Sequence, residues 1–332
     1  MGGNMSPEAQ AFQDAKFRAA WNKAGRSVTR YAEQNNTVIS SVYKRRNAVL
    51  ARNPEWFDLL TIGRDEVPAW PEPRVTHIEM RNKVALAGSD LHCWPGAPPV
   101  MWHAFCAVAY QINPDEIWLV GDVIDGARVS RHAKSPGITA PKLQDEINAA
   151  QERLGWLPAA KKRWLRGNHD IRFEAYMAQN APEMEHYAGT LPDQFPDWEF
   201  SWSLMINKDV CEVRHRYHGG IHAAYNNVLK TGCSIITGDT HALDCRPLQD
   251  RRGVRWGVQL GMLADPDHPM FFYNEGKTSQ HRRGFAVLSF DQDGMLKPPE
   301  LCEWADGRAW FRGKAVADVK GPRVRVKAGR AA

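Results

Sequence analysis

Five short clusters of aspartate, asparagine and histidine constrain the fold more than any other feature of this 332-residue sequence. Most of them directly follow an apolar stretch with the composition of a buried β-strand. In α/β sheets, the loops that leave the carboxyl ends of neighbouring strands converge on one crevice. Side chains that are far apart in the sequence are therefore expected to form a single polar site. The clusters are Asp90 with His92, Asp122 with Asp125, Asn168 with His169, His218, and Asp239 with His241.

The apolar segments predict an α/β fold with mixed sheets. Candidate strands at 84–87, 116–120, 162–165 and 234–237 are interspersed with candidate helices at 141–157 and 170–179. Later candidate strands, at 199–206, 210–217, 254–260 and 284–290, have no long helix between them. Alternation of strands and helices favours parallel pairing, whereas consecutive strands favour antiparallel pairing. The combination is typical of a mixed rather than a purely parallel sheet.

The first sixty residues predict a small unit of helices. A first helix would contain Phe17 and Trp21, and a second would run over 28–34 with Ser27 as its cap. We expect the third to bury Val38, Ile39, Val42 and Tyr43 and to expose Ser40, Ser41, Lys44, Arg45 and Arg46. The second and third helices, joined by a short turn, resemble a helix-turn-helix that enters the DNA major groove. The alternative is a basic three-helix bundle that docks on the enzyme or on another protein.

The distribution of proline and of basic residues divides the chain into three parts. Pro68, Pro71 and Pro73 predict a linker. We therefore expect a helical module with its linker at 1–75, an α/β domain at 76–305 and a basic tail at 306–332. The net charge is only +5, but basic residues crowd both ends of the chain. Such clustering favours a polyanionic partner, and nucleic acid bound through the N-terminal basic helices is the expected one.

Composition argues against membrane and disulfide-rich classes. No apolar run is long enough to cross a bilayer, and the first residues lack the charged and apolar regions of a signal peptide. We therefore expect a cytoplasmic protein without a membrane partner. The six cysteines are scattered and include no C-x-x-C pair. Reduced thiols are expected rather than disulfides or zinc ligands.

The five clusters offer the side chains that bind divalent metals. Asp90 and His92 lie two residues apart just after a predicted strand. Because the chain has left the sheet there, its side chains no longer alternate between two faces, and both can face one cation. The two oxygens of Asp122 suit it to bridge two cations roughly 3.5 to 4 Å apart. The amide oxygen of Asn168, together with imidazoles, would complete shells that leave positions for water and a phosphate oxygen. The pattern indicates metal-dependent attack on phosphorus.

Together and in this order, the clusters resemble the motifs of calcineurin-like metallophosphoesterases: D-x-H, G-D-x-x-D, G-N-H-D/E, H-G and G-H-x-H. The resemblance covers residues 84 to 241 and extends to about residue 305. It implies two stacked mixed sheets flanked by helices, with a dinuclear metal site at the strand ends. It also implies a first metal bound by Asp90, His92 and His241, a bridging Asp122, and a second metal bound by Asn168 and His218.

The same resemblance implies how the reaction proceeds. A metal-bridging hydroxide would displace the leaving alcohol in line. His169 matches the histidine that does not bind metal and that stabilises or protonates the leaving oxygen, and Asp125 would orient it. Two divalent ions are expected, with Mn²⁺ first and Mg²⁺, Fe, Ni²⁺ or Zn²⁺ as alternatives.

Two assignments within the metal site stay open. Asp239 stands where the family usually has the first histidine of G-H-x-H. It would either bind the metal, which favours harder ions such as manganese or magnesium, or orient His241 or His218. His222 competes with His218, although the H-G dipeptide and the preceding strand favour His218.

The substrate is the least constrained prediction. A phosphodiesterase or nuclease that acts on DNA, or is tethered to it, is favoured by the basic helices. A phosphomonoesterase acting on phosphoproteins or small molecules, and a DNA-binding factor with a vestigial phosphoesterase core, are the alternatives, since fold and metals do not select a substrate. Three residues just past Asp125 are candidate contacts for the substrate phosphate, with a solvated loop as the alternative: Arg128, Arg131 and His132.

Overall fold

The chain divides into two compact units, Met1–Pro71 and Glu72–Ala332. The computed structural model describes residues 5–57, 72–131, 137–187, 189–274 and 280–318. The sequence placed the end of the first part near residue 75. Among the helices that the structure describes, none combines the length and the apolar character needed to cross a membrane.

The first unit consists of helices packed around an aromatic core. Its elements are α1 (Pro7–Lys23), α2 (Val28–Gln34), α3 (Ile39–Arg52) and a 3-10 turn at Pro54–Trp56. Ser27 caps α2 as expected, because its hydroxyl accepts a hydrogen bond from the N–H of Arg30. Phe17, Trp21 and Tyr31 are buried together, with ring centroids 5.1 to 6.0 Å apart.

The inward face of α3 differs from the expected one. Val42 and Val49, seven residues apart, are buried. Val38, Ile39 and Tyr43 were expected inside, but they are 64%, 48% and 43% exposed. The expected set spans too wide an arc of the helix for the narrow core that Phe17 and Trp21 provide. The first turn of α3 therefore presents apolar as well as polar side chains to solvent.

The second unit contains a six-stranded sheet, in the order β1-β6-β7-β8-β10-β9, and an eight-stranded sheet, in the order β14-β13-β12-β11-β2-β3-β4-β5. The strands are β1 (Thr76–Ile78), β2 (Lys83–Gly88), β3 (Glu116–Val120), β4 (Lys161–Leu165), β5 (Glu199–Ser201), β6 (Ser203–Ile206), β7 (Cys211–Arg214), β8 (Ser234–Thr237), β9 (Leu243–Asp250), β10 (Gly253–Leu260), β11 (Gly284–Phe290), β12 (Glu300–Ala305), β13 (Arg308–Phe311) and β14 (Lys314–Asp318). Both sheets contain parallel and antiparallel pairs.

Helices cover the outer faces of the two sheets. They are α4 (Val100–Ile112), α5 (Leu143–Leu154), α6 (Arg172–Asn180), α7 (Leu191–Gln194) and α8 (Ala223–Thr231), with 3-10 turns at Ala127–Val129, Pro182–Tyr187 and Pro269–Asn274. Strand alternation separates two cores: Ala85 and Ala87 pack between the sheets, whereas Leu86 packs on the helical side with Phe105 of α4. The expected architecture, two mixed sheets flanked by helices, is confirmed.

Two strand predictions are corrected. The predicted strand at 199–206 is broken at Trp202, and its halves enter different sheets: β5 pairs with β4, and β6 pairs with β1 and β7. The predicted tail at 306–332 begins instead with β13 and β14, because Ala309 and Phe311 alternate into the core of the larger sheet. The basic run from 320 onward lies outside the described residues.

Gly257 provides a test of how closely α8 packs on the smaller sheet. An ideal Cβ at Gly257 would lie 1.8 Å from the carbonyl oxygen of Ala224, so Gly257→Ala requires α8 to move away from β10. We expect a loss of about 1 to 3 kcal/mol in the free energy of unfolding, the usual cost of overpacking. Urea unfolding followed by circular dichroism measures it. The matched control is Gly219→Ala, whose Cβ would be 3.9 Å from its nearest neighbour; equal losses in both variants would contradict the packing.

Candidate metal centre

The polar clusters meet where parallel strands of both sheets end. β2, β3 and β4 are adjacent and parallel in the larger sheet, and β7 and β8 are adjacent and parallel in the smaller one. Five residues that follow these strands have left-handed backbone, with φ between +43° and +65°: Asp90, His92, Asp122, Asp239 and His241. Residues other than glycine rarely adopt this conformation, and its strain persists at functional sites only where the surroundings impose it.

Three groups of side chains in the described part of the chain bring possible metal-ligand atoms within 4.8 Å of one another. They are Asp90, His92 and His241; Asp90, Asp122 and His215; and His92, Asp125 and His169. The first group is the set expected for the first metal. In the second, Asp90 joins the predicted bridging residue Asp122, and the histidine is one that the sequence analysis did not select.

Buried atoms of the centre have the chemistry of metal ligands. Asp90 Oδ1, His92 Nε2 and His215 Nε2 are buried and make no hydrogen bond of good geometry. The amide oxygen of Asn168 is also buried and makes no hydrogen bond of good geometry. Leaving one buried polar atom unsatisfied costs about 1 to 3 kcal/mol, so several at one place call for an explanation. Carboxylate, amide and imidazole donors together fit divalent cations, and these residues therefore suit the expected metals.

The pKa shifts of the buried groups also indicate a place for a cation in the centre. Burial by itself raises the pKa of the Asp122 carboxyl, but the charges of His215 and His169 outweigh burial and hold this pKa far below its ordinary value. Burial lowers the pKa of His215, yet the charges of Asp122 and Asp90 raise it to about 10. The buried carboxylates of Asp90 and Asp122 therefore favour a positive charge beside them, and a bound divalent ion would supply that charge.

His215 occupies the position that was predicted for His218. β7 ends at Arg214 rather than extending to residue 217, so His215 is the first residue past the strand. Its Nε2 lies 3.1 Å from Asp122 Oδ2 and its Nδ1 lies 2.7 Å from the Val120 carbonyl oxygen. Gly121 makes room for the ring, since a Cβ there would lie 2.4 Å from it.

His218 and His222, the two candidates from the sequence, are both exposed. The ring of His218 packs edge-on against Tyr217, and its carbonyl oxygen accepts a hydrogen bond from Asn227. His222 precedes α8. Neither is in a possible ligand group of the described residues. The H-G dipeptide misled the assignment, whereas the shorter strand would have indicated His215.

Asp239 lies at the edge of the centre. Its backbone N–H donates to Asp90 Oδ2 over 3.2 Å, while its own Oδ1 is 3.1 Å from the Arg216 guanidinium and 3.8 Å from His215 Nε2. It is not in any of the three groups. These contacts fit a residue that orients a neighbouring histidine. The histidine beside Asp239 is His215, whereas His218 or His241 was expected there. Direct ligation by Asp239 stays a prediction.

His169 and Asp125 form the expected pair. His169 Nδ1 is 2.8 Å from Asp125 Oδ1, and Asp125 Oδ2 accepts a hydrogen bond from the Trp94 indole. Arg172 Nη2 lies 2.8 Å from His169 Nε2. Because a guanidinium only donates, Nε2 is the acceptor and the ring proton is on Nδ1. The His169 side chain is 19% exposed, far more open than the buried His92 and His215.

The predicted phosphate contacts are less well defined. Arg128 lies on the 3-10 turn after Asp125 and is exposed, as is Arg131. His132 lies outside the described residues. Arg172, which the sequence analysis overlooked, is the arginine in contact with His169. Its position three residues after His169, in the first turn of α6, was the available signal.

Two further buried acids support the loops of the centre and were also overlooked. The Asp170 carboxylate accepts backbone N–H groups of Asp122, Val123, Ile124 and Gly167, and the indole N–H of Trp164. Glu146 Oε2 accepts the N–H of Gly126 over 2.6 Å. Burial, and then the charge of Asp125, raise the pKa of Glu146 to about 8.

Among curated proteins, the chain is similar to two phage proteins. No family model matches it. The Gene 54 protein of Mycobacterium phage L5 is 26% identical over 236 residues, covering 60% of this chain and 87% of that protein. The Gene 54 protein of Mycobacterium phage D29 is 28% identical over 223 residues, covering 59% and 84%.

Among solved structures, the chain is similar to metallophosphoesterases, the class that its motifs resemble. The metallophosphoesterase from Sphaerobacter thermophilus has 14% identity and a TM-score of 0.37, covering 69% of this chain and 89% of that one. The phosphoesterase Yfce from E. coli has 12% identity and a TM-score of 0.31, covering 65% and 97%. Pseudomonas putida nuclease MPE has 14% identity and a TM-score of 0.30, covering 65% and 86%.

Substitution of the two competing histidines tests the revised ligand set. We expect His215→Ala to lose roughly half of the bound metal after loading with Mn²⁺ and desalting, because it removes a buried donor beside Asp122. His218→Ala, at an exposed ring three residues away, should keep the wild-type content. Elemental analysis by mass spectrometry gives the metal-to-protein ratio. Metal loss in His218→Ala alone would restore the original assignment.

The raised pKa of Glu146 predicts a pH-dependent contribution to stability. The folded carboxyl holds its proton up to about pH 8, whereas the unfolded one releases it near pH 4.5. The contribution of Glu146 to the free energy of unfolding is therefore fully present below about pH 4.5 and declines as the pH rises towards 8. Glu146→Gln should show a smaller loss of melting temperature between pH 5 and pH 8 than the wild type, both in EDTA. An unchanged pH slope would contradict this, and the exposed Glu152→Gln is the control.

Proposed function

We propose that this chain is a metal-dependent phosphoesterase. The observation that carries the proposal is the convergence of Asp90, His92, Asp122, His215 and His241, with several buried ligand atoms lacking a hydrogen bond, beside the partly exposed His169 and the buried Asp125. The ligands and the proton-transfer residue come from the ends of parallel strands in both sheets. A site of this kind combines cation binding with a polar group that substrate can reach.

The side chains divide naturally between two metal ions. Asp90, His92 and His241 would hold one ion, and Asp122, Asn168 and His215 the other, with Asp90 close to both. Bound divalent metals supply a lowered pKa for water and an electrostatic clamp on phosphoryl oxygens. Carboxylate and amide oxygens are the preferred ligands of hard ions, which supports Mn²⁺ as the native metal.

His169 is the group that exchanges a proton with the substrate. Asp125 holds the ring proton on Nδ1, and Nε2 lies 2.8 Å from Arg172 Nη2 and 3.7 Å from Asp122 Oδ2. With the ring proton on Nδ1, the lone pair of Nε2 can take up a second proton, and the imidazolium can then pass it from Nε2 to a leaving oxygen. Arg172 adds a positive charge at the same point, where negative charge develops as the ester bond breaks.

We further propose that the substrate is a phosphodiester of nucleic acid. The support comes from the first unit, whose α3 exposes basic and small polar side chains, including Ser40, Ser41, Lys44 and Arg45. Ile39 and Tyr43 are exposed on the same helix and suit contacts with base edges. The unit would tether the enzyme to DNA or present DNA to it.

Activity of the intact chain tests the function. With Mn²⁺ we expect hydrolysis of bis-p-nitrophenyl phosphate to exceed that of p-nitrophenyl phosphate. His169→Ala should lower kcat by about 10² to 10⁴, the usual contribution of a proton-transfer residue, while the metal content stays at the wild-type level. Asp122→Ala should lose both metal and turnover, because it removes a buried carboxylate ligand that lies beside both Asp90 and His215.

Each alternative has its own outcome in that experiment. Preference for the monoester would favour a phosphomonoesterase. No turnover of either compound across Mn²⁺, Mg²⁺, Fe²⁺, Ni²⁺ and Zn²⁺ would favour a vestigial core in a DNA-binding factor. Loss of metal from His169→Ala would overturn the role assigned to this residue.

Nucleic-acid binding by α3 has a separate test. Lys44→Ala removes one exposed charge, so the slope of log K against log salt concentration should become shallower by about 0.9, the contribution of one phosphate contact on duplex DNA. Fluorescence anisotropy with labelled duplex at several salt concentrations measures it. The control is Lys83→Ala, an exposed lysine of the second unit. Equal changes in the two variants would argue against α3 as the DNA-binding surface.

A further inference from the structure

A cavity of about 260 Å³ lies beside His169. Its walls include His169 and Asp170, together with Ile124 and Gly126 from the loop that follows β3. The remaining walls come from α5, α6, α7 and the segment just before α7. Asp90, His92, His215 and His241 do not line it. The cavity therefore adjoins the centre on the side of the proton-transfer histidine.

The walls of the cavity are mainly apolar and uncharged. Leu143, Ile147, Phe173 and Leu191 provide apolar surface, and Gln144, Thr190 and Gln194 provide amide and hydroxyl groups. No lysine or arginine is among the lining residues. The two carboxylates of the lining have partners of their own: Glu174 lies 2.9 Å from Arg166, which it shares with Glu72, and accepts the N–H of Leu191, while Asp170 accepts backbone N–H groups of the loops. Such a lining suits a neutral ring with polar edges and offers nothing to a second phosphate.

The size of the cavity further limits which ligand it can hold. Pockets that enclose a whole drug-sized ligand measure about 300 to 1,000 Å³, so this one has room for a single ring system and its attachment. Phe173 offers an aromatic face, and bases stack on such faces with little dependence on sequence. Side-chain amides are suited to hydrogen bonding with the edges of a base.

We propose that this cavity receives the nucleoside on the leaving side of a phosphodiester. The proposal rests on the proposed function, because it takes His169 to face the leaving oxygen. Hydrolysis breaks the bond between phosphorus and that oxygen; water supplies the new oxygen on phosphorus and, through His169, the proton on the leaving alcohol. The nucleoside that departs is the group attached to the oxygen beside His169, and the cavity is the space next to it.

A mixed ester separates the two possible orientations. The methyl esters of thymidine 5′- and 3′-phosphate carry one nucleoside and one methyl group on the same phosphorus. If the cavity binds the leaving nucleoside, the Mn²⁺-loaded chain should release thymidine and methyl phosphate from at least one of these esters. We expect at least tenfold more thymidine than thymidine monophosphate from that ester, measured by liquid chromatography.

Variants of the cavity should change this product ratio. Leu143→Trp fills the cavity and Phe173→Ala removes its aromatic face, so each should lower the ratio of thymidine to thymidine monophosphate at least fivefold. Leu229→Ala, at an exposed leucine of α8, should keep the wild-type ratio. A binding readout without turnover accompanies them: thymidine should bind the EDTA-treated wild type in calorimetric titration and bind Leu143→Trp at least fivefold more weakly.

The outcomes separate this proposal from the proposed function. Hydrolysis that yields mainly thymidine monophosphate and methanol from both esters, or a ratio that the cavity variants leave unchanged, would overturn the cavity assignment while the phosphoesterase stands. Preferential cleavage of a phosphotyrosine peptide, slowed by the same variants, would also overturn it and give the cavity to an aryl group. No hydrolysis of any ester with any metal would remove the proposed function itself.

Discussion

The carboxylate of Asp170 is the interaction on which the centre depends. It lies five residues past the end of β4 and accepts N–H groups from three consecutive residues after β3, namely Asp122, Val123 and Ile124, and from Gly167 of its own loop. An ionised carboxylate has about four acceptor sites, so these backbone donors and the indole N–H of Trp164 together use its capacity fully. One buried charge thereby fixes two loops against each other and holds Asp122 in its left-handed conformation. Hydrogen bonds to a charged group are about twice as strong as neutral ones, which offsets the strain.

The two sheets give this loop arrangement its rigid base. Ala85, Ala87, Trp118 and Val120 pack against residues of the smaller sheet, so the ends of β2 and β3 face the ends of β7 and β8. His215, at the end of β7, reaches across to Asp122 at the end of β3, and its other nitrogen meets the carbonyl oxygen of Val120. The contact is between sheets, and its geometry follows from their packing distance. A centre with ligands from both sheets is thus formed only when the whole second unit is folded.

The sequence predicted the parts of this structure that depend on local pattern. β3, β8 and β11 and the helix α2 were placed correctly because each has clear apolar periodicity or a capping residue. Asp90, His92, Asp122 and His241 were brought together as expected, since each lies within four residues of the end of a strand. His215 was missed because its role depends on where β7 ends, which the pairing with β6 and β8 decides. Asp170 and Arg172 were missed because their partners lie in loops that only the tertiary fold brings near.

Burial separates the residues that hold the centre from the residue that reacts. Asp90, His92, Asp122 and His215 are each at most 2% exposed, and every one of them also has a backbone or side-chain contact that fixes its position. His169 is the open member; its ring nitrogens contact Asp125 and Arg172, and its ring packs edge-on against His92. Ligands must keep their geometry throughout a catalytic cycle, whereas a proton-transfer group must meet both substrate and solvent. The same loop supplies both kinds of residue, because the amide oxygen of Asn168 is buried while His169, its neighbour, lines the cavity.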